Sequence, residues 1–418
     1  MLGAYFLEHN RYLNFVGILF IIAIAWFFSQ HRSRINYRLV ANALVFQCLI
    51  AFCALKTDAG LYVLESLSHG VEYLYLYART GIAFLFGSLA QSTSTAWGTI
   101  FAVQVLPMII FFGAFMALLF HLGIIQKLVA AIGYIVRPIL GTTGAETLCA
   151  IANSFLGQTE APLLIRNYLA TMTRSEILVV MVSGMGTISG SLLAIYASMG
   201  APIKALLTAS VMAIPATIMI SKILLPETEK QAGDSAKKVE FEAARSNIFD
   251  ALSTGTSDGL QLALNVGAML LSFIAIMALF NGILSGTCAY INTWFSWNIP
   301  IITLDYIFGK ICYPFAYLLG FSGYEASRVA ELLGTKVGIN EFLAYYKMVS
   351  MGLSERAQLL VTFALCGFSN FSCIGIQVGG IGVLVPEKRV LLTQLGLYAV
   401  LGGALSNLLT AMIAALFI

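Results

Sequence analysis

Apolar residues run along this chain in blocks of about twenty, the length a helix needs to cross the hydrocarbon of a bilayer. Such blocks fall at 12–30, 38–56, 98–122, 175–198, 203–224, 257–284, 357–384 and 391–417, which predicts an all-α polytopic membrane protein with eight transmembrane helices. The first block is longer than a signal-peptide core and is followed by His31-Arg32-Ser33-Arg34, so it reads as a retained helix. Four further stretches are apolar without spanning cleanly. Residues 59–80 carry Glu65, His69, Glu72 and Arg79 and predict an amphipathic interfacial helix, with Tyr62, Tyr73, Tyr75 and Tyr77 as its aromatic belt. Residues 301–321, interrupted by Asp305, Lys310 and Pro314, predict another. Residues 142–172 and 323–350 each rise, break and return, which predicts two re-entrant hairpins.

The first break contains Gly157-Gln158-Thr159-Glu160-Ala161-Pro162. Pro162 donates no backbone hydrogen bond and disfavours a helical Ala161, so the chain leaves the helix beside three polar side chains. Broken backbone at membrane depth survives only where it is buried in protein or lines a cavity, and a carboxylate there is a functional site by default. The second hairpin carries Asn340-Glu341 near its break. Each hairpin precedes an interrupted helix, Ser183 to Gly190 in one case and Gly367 to Cys373, with Gly375, Gly379 and Gly380, in the other. The chain enters the hairpins from opposite sides. An inverted repeat with broken helices points to a midplane substrate site in a secondary transporter.

With 59% hydrophobic and 10% charged residues among 418, a soluble domain is excluded, and a net charge of +3 offers nothing to a nucleic acid. The seven cysteines and four histidines show no metal-ligand spacing. Arg32, Arg34 and Arg38, then Lys230, Lys237, Lys238 and Arg245, then Lys388 and Arg389 share one face, the cytoplasmic one by the positive-inside rule. Both termini are then periplasmic, and a bacterial inner membrane is the simplest location. The polar loop from Pro226 to Ser246 is the seam. Scaffold elements at 1–122 and 257–322 alternate with transport repeats at 123–225 and 323–418, and 226–256 is a cytoplasmic loop.

Gln158, Thr159, Asn340 and Asn370 supply donors and acceptors together, which suits a neutral ligand bearing hydroxyls or amides. Glu160 and Glu341 could instead stabilise helix N-termini as caps. Asn153 and Thr187 with unwound carbonyls could hold a small hard cation. Gly184, Gly186 and Gly190, or Gly375 and Gly379, could merely let helices approach closely, and Gln261 with Asn265 predicts interhelical hydrogen bonds. Phe368, beside Asn370, is the aromatic expected to touch a ligand. No nucleophile motif, metal cluster or phosphate loop supports an intramembrane enzyme, and a passive channel is the other rival.

Several ordered motifs carry a family resemblance. Gly157 to Arg166, Pro226-Glu227-Thr228-Glu229-Lys230, Leu260 to Met269, Asn340-Glu341-Phe342 and Ala364 to Phe368 with Asn370 resemble the concentrative nucleoside transporters over most of the chain. The resemblance implies a homotrimer in which each protomer couples nucleoside uptake to a cation gradient by an elevator-like movement. It implies that Gln158, Thr159 and Glu160 face the nucleobase with Leu192 packed on it, and that Glu341 and Asn370 bind ribose hydroxyls. It further implies a sodium site from the side chains of Asn153 and Thr187 and the carbonyls of Leu156 and Ile188, sodium being the coupling ion and no cofactor being needed. Proton coupling through a titrating carboxylate is the alternative. Cys373 stands where many relatives have a ribose-binding serine, and a thiol is the weaker partner.

Overall fold

The computed structural model describes residues 8–90, 100–229, 247–295, 300 and 302–418. Most of the polar seam, with Lys230, Lys237, Lys238 and Arg245, lies outside the described residues, as do positions 98 and 301. The described chain is helical with no strand. Its helices are α1 (Arg11–Phe27), α2 (Tyr37–Lys56), α3 (Asp58–Phe86), α4 (Leu106–His121), α5 (Ile124–Leu140), α6 (Gly144–Asn153), α7 (Arg174–Gly186) and α8 (Gly190–Ser198). There follow α9 (Ile203–Leu224), α10 (Ile248–Phe295), α11 (Leu304–Leu318), α12 (Gly323–Gly338), α13 (Glu341–Ser350), α14 (Glu355–Leu365), α15 (Ser372–Leu384) and α16 (Arg389–Ala415).

Each expected span has a helical counterpart; the third is briefly interrupted at Val105, between Phe101–Gln104 and α4, and two are more deeply broken. The fourth is α7 and α8, parted at Thr187–Ser189, and the seventh is α14 and α15, parted between Leu365 and Ser372. The first hairpin is α6, a turn, a 3-10 segment Ala161–Ile165 that starts beside Pro162, and a short return Arg166–Leu169. The second is α12 and α13, hinged at Ile339 and Asn340. The interfacial stretch at 59–80 is the centre of α3, which runs 29 residues and leaves Tyr62, Tyr73 and Tyr77 exposed. The stretch 301–321 holds α11.

Two expectations are corrected. The sixth span, expected at 257–284, is a single helix of 48 residues, ~72 Å long at 1.5 Å per residue. Polar Ser253, Thr254, Thr256 and Asp258 end the apolar pattern there, but only a proline or a lost hydrogen bond ends a helix, and no proline lies within α10. Among the described residues, Gln261 and Asn265 make no bond between helices. The Gln261 amide donates to Asn265 Oδ1 at 3.1 Å within α10, one turn away, and both are exposed.

Hydropathy and burial part company in this fold. The windows in α7–α8, α9 and α16 are 94, 78 and 72% buried, whereas those in α2, α4 and α10 are 22, 22 and 11% buried at equal or higher hydropathy. Helices α7–α8, α9 and α16 therefore form an inner bundle, ringed by apolar helices whose outer faces have no protein partner in the chain. The outer pair α4 and α10 meets through glycine: a Cβ at Gly113 would sit 2.8 Å from the Gly255 carbonyl, and one at Gly259 2.8 Å from Ile110 Cα. Such close backbone approach is how helices associate where lipid is as apolar as the side chains.

One end of the inner bundle is fixed by charge. Capping boxes start α6 at Thr143 with Glu146 and α7 at Thr173 with Glu176, and the Thr143 hydroxyl donates to Glu176 at 2.8 Å, tying the two starts together. Lys222, at the end of α9, lies 2.7 Å from the fully buried Glu146. Removing one partner of a buried pair strands the other charge, at about 3–5 kcal/mol. Lys222→Met should thus lower thermal stability in detergent sharply, and adding Glu146→Gln should recover much of the loss. Equal stability of Lys222→Met and the wild type, read by size-exclusion survival after heating, would show that the pair does not anchor this end.

Candidate functional site

A helix end leaves its last carbonyls without partners, so each broken helix presents a problem at its break. Here one device serves both. Asn407, on α16, donates to the Gly186 carbonyl at the end of α7 (2.7 Å) and to the Cys366 carbonyl just past α14 (2.8 Å). The buried Lys336, from α12, donates to Asn407 Oδ1 (2.6 Å) and to the Ala364 carbonyl (2.7 Å). The two breaks touch, for a Cβ at Gly367 would fall 2.9 Å from the Gly186 carbonyl carbon. Neither Lys336 nor Asn407 stood out in the sequence. A lysine within an apolar hairpin, Gly334-Thr335-Lys336, was the available signal.

Beside the first break sits a nest of oxygens. The Thr187 hydroxyl lies 2.9 Å from the Asn153 carbonyl and 2.7 Å from the Ser183 carbonyl. The Asn153 amide donates to Ser183 Oγ at 2.9 Å, while its Oδ1 is buried without a partner among the described residues. An orphaned buried acceptor costs about 1–3 kcal/mol. A small hard cation would satisfy it; Leu156 lies in the turn after α6 and Ile188 in the α7–α8 break. Ser183, one turn before Thr187 on the same face of α7, joins this nest without having been expected there.

The second polar centre is Glu341, the first residue of α13. It is buried, and two neutral donors hold its carboxylate: Tyr196 OH on Oε1 (3.0 Å) and the Asn370 amide on Oε2 (3.0 Å). Asn370 is oriented by its own Oδ1, which accepts from Ser372 Oγ (2.6 Å) and the Cys373 N–H (3.1 Å). Tyr196 stacks on Tyr345 at 4.3 Å between ring centres and meets Phe342 edge-on at 5.6 Å. A carboxylate offers about four acceptor positions, more than these two donors fill. Tyr196 was not anticipated, although a tyrosine at the end of an interrupted helix was a visible signal.

A chain of contacts links this centre to the tip of the first hairpin. Cys373 Sγ accepts from the Gln158 amide at 3.4 Å, so Gln158, Cys373, Asn370 and Glu341 form one connected set drawn from both repeats. Thr159 and Glu160 are exposed at the tip, where Glu160 Oε2 accepts from the Gly157 N–H at 3.3 Å. Thr159 packs on Gly380, whose Cβ would fall 2.7 Å from Thr159 Cγ2. Leu192 and Phe368 are buried beside the two breaks. Asn340 does not join the set: its Oδ1 caps α13 by accepting from Leu343 N at 2.9 Å. Gly184 is tightly packed, whereas Gly375 and Gly379 face open space.

Comparison with known proteins covers almost the whole chain. Residues 16–89 and 205–415 match the N- and C-terminal profiles described as Na+ dependent nucleoside transporter, and residues 102–203 match one described as nucleoside recognition. The nucleoside permease NupC of Helicobacter pylori is 38% identical over 96% of this chain and 97% of its own length. Human sodium/nucleoside cotransporter 1 is 35% identical over 97% of this chain and 63% of its own length. The solved inward-facing, substrate-bound state of CNTnw superimposes with a TM-score of 0.89 at 38% identity, covering 97% of each chain, and an outward-facing state of a CNTnw variant gives 0.90.

Asn407 provides a test of how the breaks are held. Asn407→Ala strands the Gly186 and Cys366 carbonyls, and each buried orphan costs about 1–3 kcal/mol. The variant should unfold at least several degrees below the wild type in a detergent thermal-shift assay. An unchanged transition would mean that the breaks are held by something else.

Proposed function

The chain belongs to the family of Na+-dependent nucleoside transporters, and from that premise we propose that it is a sodium-coupled symporter that carries uridine-like nucleosides into the cell. It is a transporter and not an enzyme. The observation that carries the finer reading is Glu341, a buried carboxylate gripped by Tyr196 from one repeat and Asn370 from the other. A ribose diol donates both protons to such a group, a charge-assisted contact worth about 1.5–3 kcal/mol per bond. Gln158, Thr159, Glu160 and Leu192 then meet the base, with Phe368 and Cys373 completing the wall.

Sodium, as co-substrate, is held by Asn153, Thr187 and the carbonyls of Leu156 and Ile188, a reading supported by the orphaned Asn153 Oδ1. Leu156 directly precedes the Gly157-Gln158 tip, so an ion that orders this turn also orders the residue that meets the base. That shared segment is the physical link between the two bound species.

For the movement, the repeats at 123–225 and 323–418 travel as one body against a scaffold formed by 1–122 and 257–322. The burial contrast between inner and outer helices supports this division, and inward- and outward-facing states of CNTnw support alternating access. Phe308 of α11 packs on Gly334 of α12, a contact the movement has to carry along or break. The exposed length of α10 suits a homotrimer, and both termini lie on the periplasmic side of a bacterial inner membrane.

Two measurements test the reading. Glu341→Gln, which keeps the size and removes the charge, should abolish radiolabelled uridine uptake by proteoliposomes at normal protein incorporation; near-normal uptake would remove Glu341 from the site. In the wild type, an inward sodium gradient should drive uridine above equilibrium where potassium or a proton gradient does not. Sodium should tighten nucleoside binding by the same factor as nucleoside tightens sodium binding. Accumulation driven by protons alone would move the coupling to a carboxylate.

A further inference from the structure

Gln377 has no part in the roles assigned so far, yet it is completely buried and touches the residue that meets the base. Its amide nitrogen lies 2.9 Å from the Met181 carbonyl and 3.1 Å from Gln158 Oε1. The main-chain carbonyl can only accept, so the group of Gln377 that faces it must be the NH2. Those same hydrogens reach Gln158, so Gln158 must turn its oxygen toward Gln377. Its NH2 is thereby left on the other side, where one hydrogen reaches Cys373 Sγ at 3.4 Å. Polarity passes along a fixed line from Met181 through Gln377 and Gln158 to the site.

Space for this line is provided by Gly184. A Cβ there would lie 2.8 Å from Gln377 Nε2 and 2.9 Å from Gln158 Cβ, so any larger residue displaces the amide pair. Cys373 and Gln377 are one turn apart on α15, so both ends of the Gln158 amide are held from a single helix face.

We infer that Gln377 is a positioning residue that sets base selectivity by locking the Gln158 amide with its NH2 toward the nucleobase. This rests on the nucleoside-transport reading above. A free Gln amide rotates by half a turn and pairs with either a donor or an acceptor on a base edge; a locked one accepts only an edge that presents a carbonyl oxygen or an unprotonated ring nitrogen. Selectivity then originates in a residue that does not touch the substrate.

Two variants separate polarity from packing. In Gln377→Glu the carboxylate accepts from Gln158, which turns its amide over and presents Oε1 to the base. In Gln377→Met the volume is kept and the lock is lost. Inhibition of uridine uptake by uridine, cytidine, inosine, adenosine and free ribose is measured for each, with sodium activation as a second readout. Gln377→Glu is expected to shift the ranking of the four nucleosides by about tenfold or more toward bases with a donor at the contacted edge. Gln377→Met is expected to compress the ranking, and in both variants the effect of ribose and the sodium dependence should stay within about twofold of the wild type. If the ranking stays unchanged in both variants while uptake persists, Gln377 does not set selectivity. Weakening of all ligands by one common factor, the signature of a packing defect, would overturn the inference equally. A wild-type protein that takes up no nucleoside would instead overturn the transport reading itself.

Discussion

Two helices that stop in the middle of an apolar bundle leave carbonyl groups that neither lipid nor leucine can satisfy, and the inner fold is organised around meeting that demand. Lys336 and Asn407 do so for both breaks at once. Asn407 brings two donors on one nitrogen, and Lys336 adds a further donor where two helix C-termini concentrate negative potential. Because Asn407 of the second repeat holds the Gly186 carbonyl of the first, the first break is completed only by the other repeat, while the second is held from within its own. The breaks are thus held open instead of closing into regular helix.

Once the breaks are fixed, the polar groups around them fall into two neighbouring centres with different chemistry. Oxygen acceptors gather at Asn153 and Thr187, with an Asn153 Oδ1 that has no partner among the described residues. At Glu341 an acceptor is instead surrounded by neutral donors and aromatic rings, an environment suited to hydroxyls. The first-hairpin tip joins them, since Asn153 ends α6 and Gln158 lies five residues on. In the function proposed above, this short turn is the shared element that both ligands bias.

The amphipathic boundaries, eight apolar spans, two hairpins and two interrupted helices were legible in the sequence, because length, hydropathy, glycine and proline act locally. So were Gln158, Glu341 and Asn370, since polar side chains at membrane depth announce themselves. Three features were not. The length of α10 was hidden because Asp258 and its polar neighbours interrupt hydropathy without interrupting a helix. The division into inner and outer helices was hidden because hydropathy measures transfer out of water, and a lipid tail and a protein core are equally apolar.

The third is the most consequential for function. Tyr196, Lys336, Gln377 and Asn407 look in sequence like scattered polar residues within apolar runs, with nothing to tell a helix contact from a site. What they do is decided by pairings such as Tyr196 with Glu341, 145 residues apart, and Gln377 with Gln158, 219 residues apart. The sequence by itself determined which side chains had to find partners, since burying them alone is too costly. Only the tertiary structure decided which partners they found, because the inverted repeat brings breaks from distant parts of the chain into contact.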